Sequence, residues 1–365
     1  MNKKIEYLDA LRGLAILGVM TTHVTVAFPE LLPIIFHIGK NGSRGVQLFF
    51  IVSAFTLMLS LQRAGKLELK SFYIKRFFRI APAFYMAFLF YFLFNVIKYI
   101  LHQDHALSGY LTSNVIGTLT FLNVLRMDWL FSLVPGGWSI SNEFLFYLVL
   151  PLIYLTCRSL KKASIWLILT MMAGIILTVL SLHYYTFDPR LHMYYFYWFP
   201  NQLPIFCMGI FLFFVISYSK KARFLSSQMA NIFLWLSVFL MIALSTMKFE
   251  GYLLYFNHYL YGLLFSLFAF CLSVTQTKIF VNHFLVYIGQ ISFSMYLIHF
   301  FFVEMLLKCL KALRLYEPGN ILSYVLMLLS VYILSIIAAH FSYHYLEWPG
   351  IQLGRKWVKK LNRQS

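Results

Sequence analysis

Long apolar runs broken by short polar or basic stretches recur along all 365 residues of the chain. Runs of this length predict membrane-spanning helices at 11–28, 44–61, 80–101, 139–156, 164–182, 202–218, 230–247, 254–274, 284–307 and 321–343. One further stretch, GYLTSNVIGTLTFLNVL at 109–125, is nearly long and apolar enough to cross. If it crossed, the basic groups Arg158, Lys161, Lys162 and then Lys220, Lys221, Arg223 would face outward, against the positive-inside bias. It is therefore expected on or partly in the outer leaflet, leading into the loop RMDWLFSLVPGG.

The densest basic stretch, with Arg63, Lys66, Lys70, Lys75, Arg76 and Arg79, lies between the second and third runs. It sets that loop and the N-terminus on the cytoplasmic side. The basic start MNKKIEYLDALR leads into the first run, which is followed by more spans and reads as a retained helix, not a cleaved signal. The expected fold is all-α, a polytopic membrane protein of about ten transmembrane helices with both termini cytoplasmic.

Composition agrees: 61% hydrophobic and only 12% charged residues exclude a water-soluble globule. The net charge of +18 follows the loops, so it speaks for topology and not for nucleic acid. Cys157, Cys207, Cys271 and Cys309 lie in or beside apolar runs without metal-ligand spacing, and read as packing residues with no disulfide or metal framework. The aromatic stretch HYYTFDPRLHMYYFYWFP, 183–200, is either an interfacial belt or a stacking surface for a sugar or lipid acceptor. No repeat, low-complexity tract or soluble domain is visible.

Within this apolar frame a few polar groups stand out. Arg12 and His23 are eleven residues apart, which places them on one face of the first helix, roughly 16 Å from each other. Two ionisable groups on one stripe of a membrane helix suggest a polar pathway, although a lone histidine can also serve helix–helix hydrogen bonding. Arg76 and Arg79, with Lys75, stand at the inner end of the third run, where an i, i+3 arginine pair can converge on a phosphate or can merely anchor the helix by snorkelling. Glu143 lies in the first turn of the fourth run, where the macrodipole alone would favour it. It also lies at about the depth of His23, where a carboxylate would fix the tautomer of an imidazole base.

Trp138, Ser139, Asn142 and Tyr147 flank Glu143 and are expected to line the substrate path. Ser292, Tyr296 and His299 share a face of the ninth run, as helix glue or as further lining, and His340, Tyr343, His344 and Glu347 form a similar group near the end of the tenth.

The ordered motifs L-D-A-L-R-G-L-A-I-L-x-V-x-x-x-H, G-x-x-G-V-x-L-F-F-I-V-S, F-Y-I-K-R-F-F-R-I-A-P, W-S-I-S-N-E-F-L-F-Y and S-F-S-M-Y-L-I-H with Y-L-E-W-P resemble the acyltransferase-3 family of membrane acyltransferases, from Leu8 to Pro349. The resemblance implies a transmembrane acyltransferase domain over 1–349 and a basic cytoplasmic tail over 350–365, in a bacterial inner membrane. It implies an acyl donor, acetyl-CoA, and an extracytoplasmic glycan or lipid-linked glycan as acceptor. Arg12, His23, Arg76, Arg79 and Glu143 fall on the family's pattern. Gln47, Ala54 and Phe293 depart from it, where many members carry an acidic residue, a glycine and a tyrosine. Some relatives append a soluble SGNH-type domain, which this chain is expected to lack.

The mechanism these readings predict has Arg76, Arg79 and Lys75 holding the donor's phosphates at the cytoplasmic face and Arg12 steadying the donor or a developing charge. His23, oriented by Glu143, acts as general base towards an acceptor hydroxyl. A transporter or flippase for a lipid-linked glycan is the rival reading. It has no need of a phosphate-matched arginine pair, and no paired Gly/Pro-broken helices mark it. The acceptor sugar, the acyl group, any acyl-enzyme and the oligomeric state are not legible.

Overall fold

A computed structural model describes residues 5–65, 67–101, 107, 109–130, 133–184, 189–222 and 225–364. Lys3, Lys4, Lys66 and Arg223 of the expected basic loops, Phe131 and Ser132 of the loop before the fourth run, and residues 185–188 of the aromatic stretch lie outside the described residues, as do the side chains of Lys220 and Lys221.

Every regular element among the described residues is helical. The principal helices are α1 (Glu6–Thr25), α2 (Pro33–Asn41), α3 (Gly45–Ala64), α4 (Leu69–Ile100), α5 (Thr112–Leu119), α6 (Gly137–Thr156), α7 (Leu160–Tyr184) and α8 (Pro189–Tyr197). They continue with α9 (Phe199–Ala222), α10 (Ser227–Thr246), α11 (Leu253–Thr275), α12 (His283–Gln290), α13 (Ser292–Ala312), α14 (Ile321–Ser342) and α15 (Trp348–Gln364). Among the described residues, nine helical stretches are long and apolar enough to cross a bilayer, and the chain is a multi-pass membrane protein. The tenth expected span, α1, falls short of them in hydropathy because Asp9, Arg12, Thr21, Thr22 and His23 lie in it. Outward-facing Ile168, Leu169 and Ile176 on α7, and Ile232 and Phe239 on α10, give these helices the apolar exterior that lipid requires.

The structure alters two of the expected elements. Helix α4 begins at Leu69, eleven residues before the expected start at 80, because lysine and arginine are good helix formers and hydropathy marks the membrane and not the helix. The ninth run is not one helix: it breaks at Ile291 into α12 and α13. Asn282 Oδ1 caps α12 by accepting from the Leu285 amide at 2.9 Å, and Ser292 Oγ donates to the Gly289 carbonyl at 2.9 Å across the break. The stretch 109–125, expected not to cross, holds α5 and a 3-10 turn at Asn123–Leu125; the eight residues of α5 span about 12 Å, too short to cross.

The chain divides into two compact units. The first comprises Met1–Ser60, Cys157–Thr170 and Pro204–Ala339. Helix α1 is its core: Leu8, Leu11, Ile16, Met20 and Val24 are buried against α2, α11, α12 and α13. The α1–α12 approach is so close that a Cβ on Gly13 would strike the Leu285 carbonyl and one on Gly289 would strike that of Asp9. Only glycine permits this backbone contact. Stacking of Phe50 on Phe206, with ring centroids 4.3 Å apart, ties α3 to α9 in the same unit.

The second unit comprises Leu61–Thr156, Met171–Leu203 and His340–Ser365. It takes in the last residues of α14, from His340, which lead through a π-helical turn, Tyr343–Glu347, into α15. The basic tail is thus a helix that packs along α4: Trp357 stacks on Phe78 with centroids 6.4 Å apart, and Gly350 lies against Phe78 and Pro82. Cys157, Cys207 and Cys271 are buried free thiols, whereas Cys309 is exposed and so is not a packing residue.

Candidate active site

His23 is half-buried near the end of α1. Its ring neighbours are His299, with centroids 5.3 Å apart, and Phe300 at 4.2 Å, both on α13. The threonines around it are committed to neighbouring helices. Thr21 shares a hydrogen bond with Tyr332 at 2.6 Å, Thr22 donates to the Gly39 carbonyl at 3.0 Å, and Thr25 meets Tyr324 at 3.2 Å. These bonds fix the azimuth of α1 and with it the face that carries His23. Tyr296, also buried, lies one turn before His299, so the polar face expected on the ninth run does meet the polar stripe of α1.

At the other end of that stripe, Arg12 Nη1 donates to Asp9 Oδ1 at 2.9 Å and Nη2 donates to Thr56 Oγ1 at 2.8 Å, which joins α1 to α3. The guanidinium is therefore neutralised within its own helix. Asp9 is the partner that hydropathy does not reveal, but its i, i+3 spacing to Arg12 is a sequence signal for it.

In the second unit, Glu143 Oε1 accepts from the Tyr147 hydroxyl at 2.6 Å, and both are charge or dipole neighbours of the Arg76 guanidinium. Arg79 faces Glu347, buried in the π-helical turn, as its strongest charge partner. The expected donor-side arginines and the expected base-side carboxylate thus belong to one cluster. This follows from the early start of α4, which puts Arg76 about two turns inside the helix and not at its mouth. Two guanidiniums and two carboxylates balance in formal charge. One donor remains unused: Arg76 Nε is buried and has no hydrogen-bond partner among the described residues. Lys75 is exposed on the same turn. Glu347 is a residue whose importance the sequence does not single out from His340, Tyr343 and His344 beside it.

The remaining expected lining residues divide. Asn142 is fully buried and its amide donates to the Trp138 carbonyl at 3.1 Å and the Tyr197 carbonyl at 2.8 Å; Ser139 Oγ donates to the Gly136 carbonyl at 3.0 Å. Both therefore build the start of α6. Trp138 packs on Tyr197 with centroids 4.4 Å apart and is half-buried, and Tyr147 belongs to the charged cluster.

A multi-pass helical membrane protein with an imidazole pair in one unit and a cluster of half-buried Arg76 and Glu143 with buried Tyr147 in the other is defined by these observations. The family described as an acyltransferase domain, acyltransferase-3, matches residues 5–340, and the chain belongs to that family. Over 161 residues it is 29% identical to the peptidoglycan O-acetyltransferase OatA of Listeria monocytogenes, covering 41% of this chain and 24% of the relative. Over 173 residues it is 28% identical to the acyltransferase MdmB of Streptomyces mycarofaciens, covering 45% of this chain and 42% of the relative. A Staphylococcus aureus protein provisionally named an O-acetyltransferase is 26% identical, over 100% of this chain and 60% of the relative. The chain thus spans about a quarter to three fifths of the length of these relatives. No solved structure matches it.

Proposed function

We propose that this protein transfers an acetyl group from cytoplasmic acetyl-CoA to a hydroxyl of an extracytoplasmic surface glycan, in a bacterial cytoplasmic membrane with both termini inside. Membership of the acyltransferase-3 family carries this reading. The relative named as a peptidoglycan O-acetyltransferase supports a hydroxyl on a surface polymer as acceptor.

His23 is the general base: it removes the proton of the acceptor hydroxyl and returns it to the departing thiolate. Its half-buried position on the polar stripe of α1, beside a second imidazole, supports that role. Tyr296 and His299 line the path beside it. Arg76, whose Nε is a buried donor without a hydrogen-bond partner among the described residues, and the exposed amine of Lys75 suit a phosphate-bearing donor. Arg79, balanced by Glu347, contributes less charge and more position. Arg12, tied to Asp9 and Thr56, holds α1 in register with α3.

The test is incorporation of labelled acetyl from acetyl-CoA into surface glycan by membranes with and without the protein. Incorporation that depends on the protein supports the reading, whereas loss of the entire glycan without the protein would indicate export.

A further inference from the structure

His299 is fully buried on α13, and its Nδ1 lies 3.2 Å from the Met295 carbonyl oxygen and 2.9 Å from that of Tyr296. Carbonyl oxygens only accept, so Nδ1 carries the proton and Nε2 presents a lone pair. Nε2 has no hydrogen-bond partner among the described residues. A buried acceptor left unmade is unfavourable, so one in a native site calls for a donor. The rings around His299 are Phe300, His23 and Tyr296, with centroids at 4.2, 5.3 and 5.7 Å. Phe300 has nothing to donate. Tyr296 sits one turn back on the same helix with its ring edge-on to Phe49. His23 brings a ring N–H from the facing helix.

We infer that His299 is a positioning residue for His23, its Nε2 accepting a ring N–H of His23 so that the other His23 nitrogen is held as the base. The inference rests on the reading of His23 as general base. In the transfer, the acceptor O–H bond breaks as its oxygen attacks the thioester carbonyl carbon, and the proton moves to the free nitrogen of His23. The C–S bond then breaks with its electron pair on sulfur, and the imidazolium returns that proton to the thiolate. While His23 carries two protons, one N–H points to His299 Nε2, which stabilises the cation without taking its proton. His299 keeps its own proton on Nδ1 throughout.

Two substitutions separate this role from simple packing. Glutamine at 299 places an amide oxygen near the position of Nε2, whereas leucine fills the space without an acceptor. With acetyl-CoA as the varied substrate, His299→Leu is expected to lower kcat about 100-fold, while KM changes by less than about twofold. His299→Gln is expected to recover about tenfold of that loss. Equal rates for the two variants, or full activity of His299→Leu, overturn the inference.

A readout independent of turnover is the 15N spectrum of the histidine rings in lipid nanodiscs. It should show His299 protonated at Nδ1, with its Nε2 resonance shifted in His23→Ala. A proton on Nε2, or an Nε2 resonance unmoved by His23→Ala, contradicts the pairing. Full transfer by His23→Ala would instead remove the general base itself. An inactive His23→Ala beside a fully active His299→Leu removes only the role of His299.

Discussion

The Tyr147 hydroxyl donates to Glu143 Oε1 at 2.6 Å, one turn away on α6, and the same tyrosine neighbours the Arg76 guanidinium of α4. One phenol thus satisfies a carboxylate beside a guanidinium. Tyr147→Phe leaves the carboxylate short of a partner and is expected to lower acetyl transfer about tenfold, with the protein still in the membrane. Initial rates with acetyl-CoA check this, and an unchanged rate would reduce the cluster to helix packing.

Arg76 and Arg79 differ in what they have to spare. Arg76→Ala is expected to raise KM for acetyl-CoA about tenfold, because it removes the unused Nε donor together with half of the arginine pair. Arg79→Ala, already balanced by Glu347, should raise KM less. Equal KM values for both variants and the parent would leave the arginines as topology signals only.

Glu347→Gln takes the counter-charge from Arg79 inside the π-helical turn. Removing one charge leaves the other without its counter-charge, so the detergent-solubilised variant should melt at a lower temperature than the parent. A melting temperature equal to the parent's would show that Arg79 does not depend on Glu347.

Most of the helices were legible because a lipid-facing helix must be apolar along its whole length, and residues 139–156 and 321–343 nearly coincide with α6 and α14. Helix α1 is legible by its motif more than its hydropathy, since protein and not lipid surrounds it. The break at Ile291 was hidden because α12 and α13 are both apolar, and the close approach of Gly289 to α1 beside it is a contact a single sequence does not write. The same limit applies to the site. His23, Arg76 and Glu143 stand out as polar groups in apolar runs, but which helices face one another is not written in a single sequence. The neighbours they meet, His299 for His23 and Tyr147 for Arg76, appear only with the packing.

That packing makes a prediction of its own. Gly289→Ala introduces a Cβ onto the Asp9 carbonyl and forces α12 away from α1. Overpacking of this kind costs about 1–3 kcal/mol and should also disturb the Asp9–Arg12 pair one turn along α1. Thermal melting and membrane abundance measure it, and a variant as stable as the parent would mean the two helices have room to separate.

The central claim is a His23-dependent acetyl transfer, and it is tested most directly by mass spectrometry of surface glycans from cells carrying the protein, lacking it, or carrying His23→Ala. The expected result is acetyl mass on the glycan only with the parent protein, and the same amount of glycan in all three. Acetylation by His23→Ala at the parent level, or disappearance of the glycan itself without the protein, would contradict it.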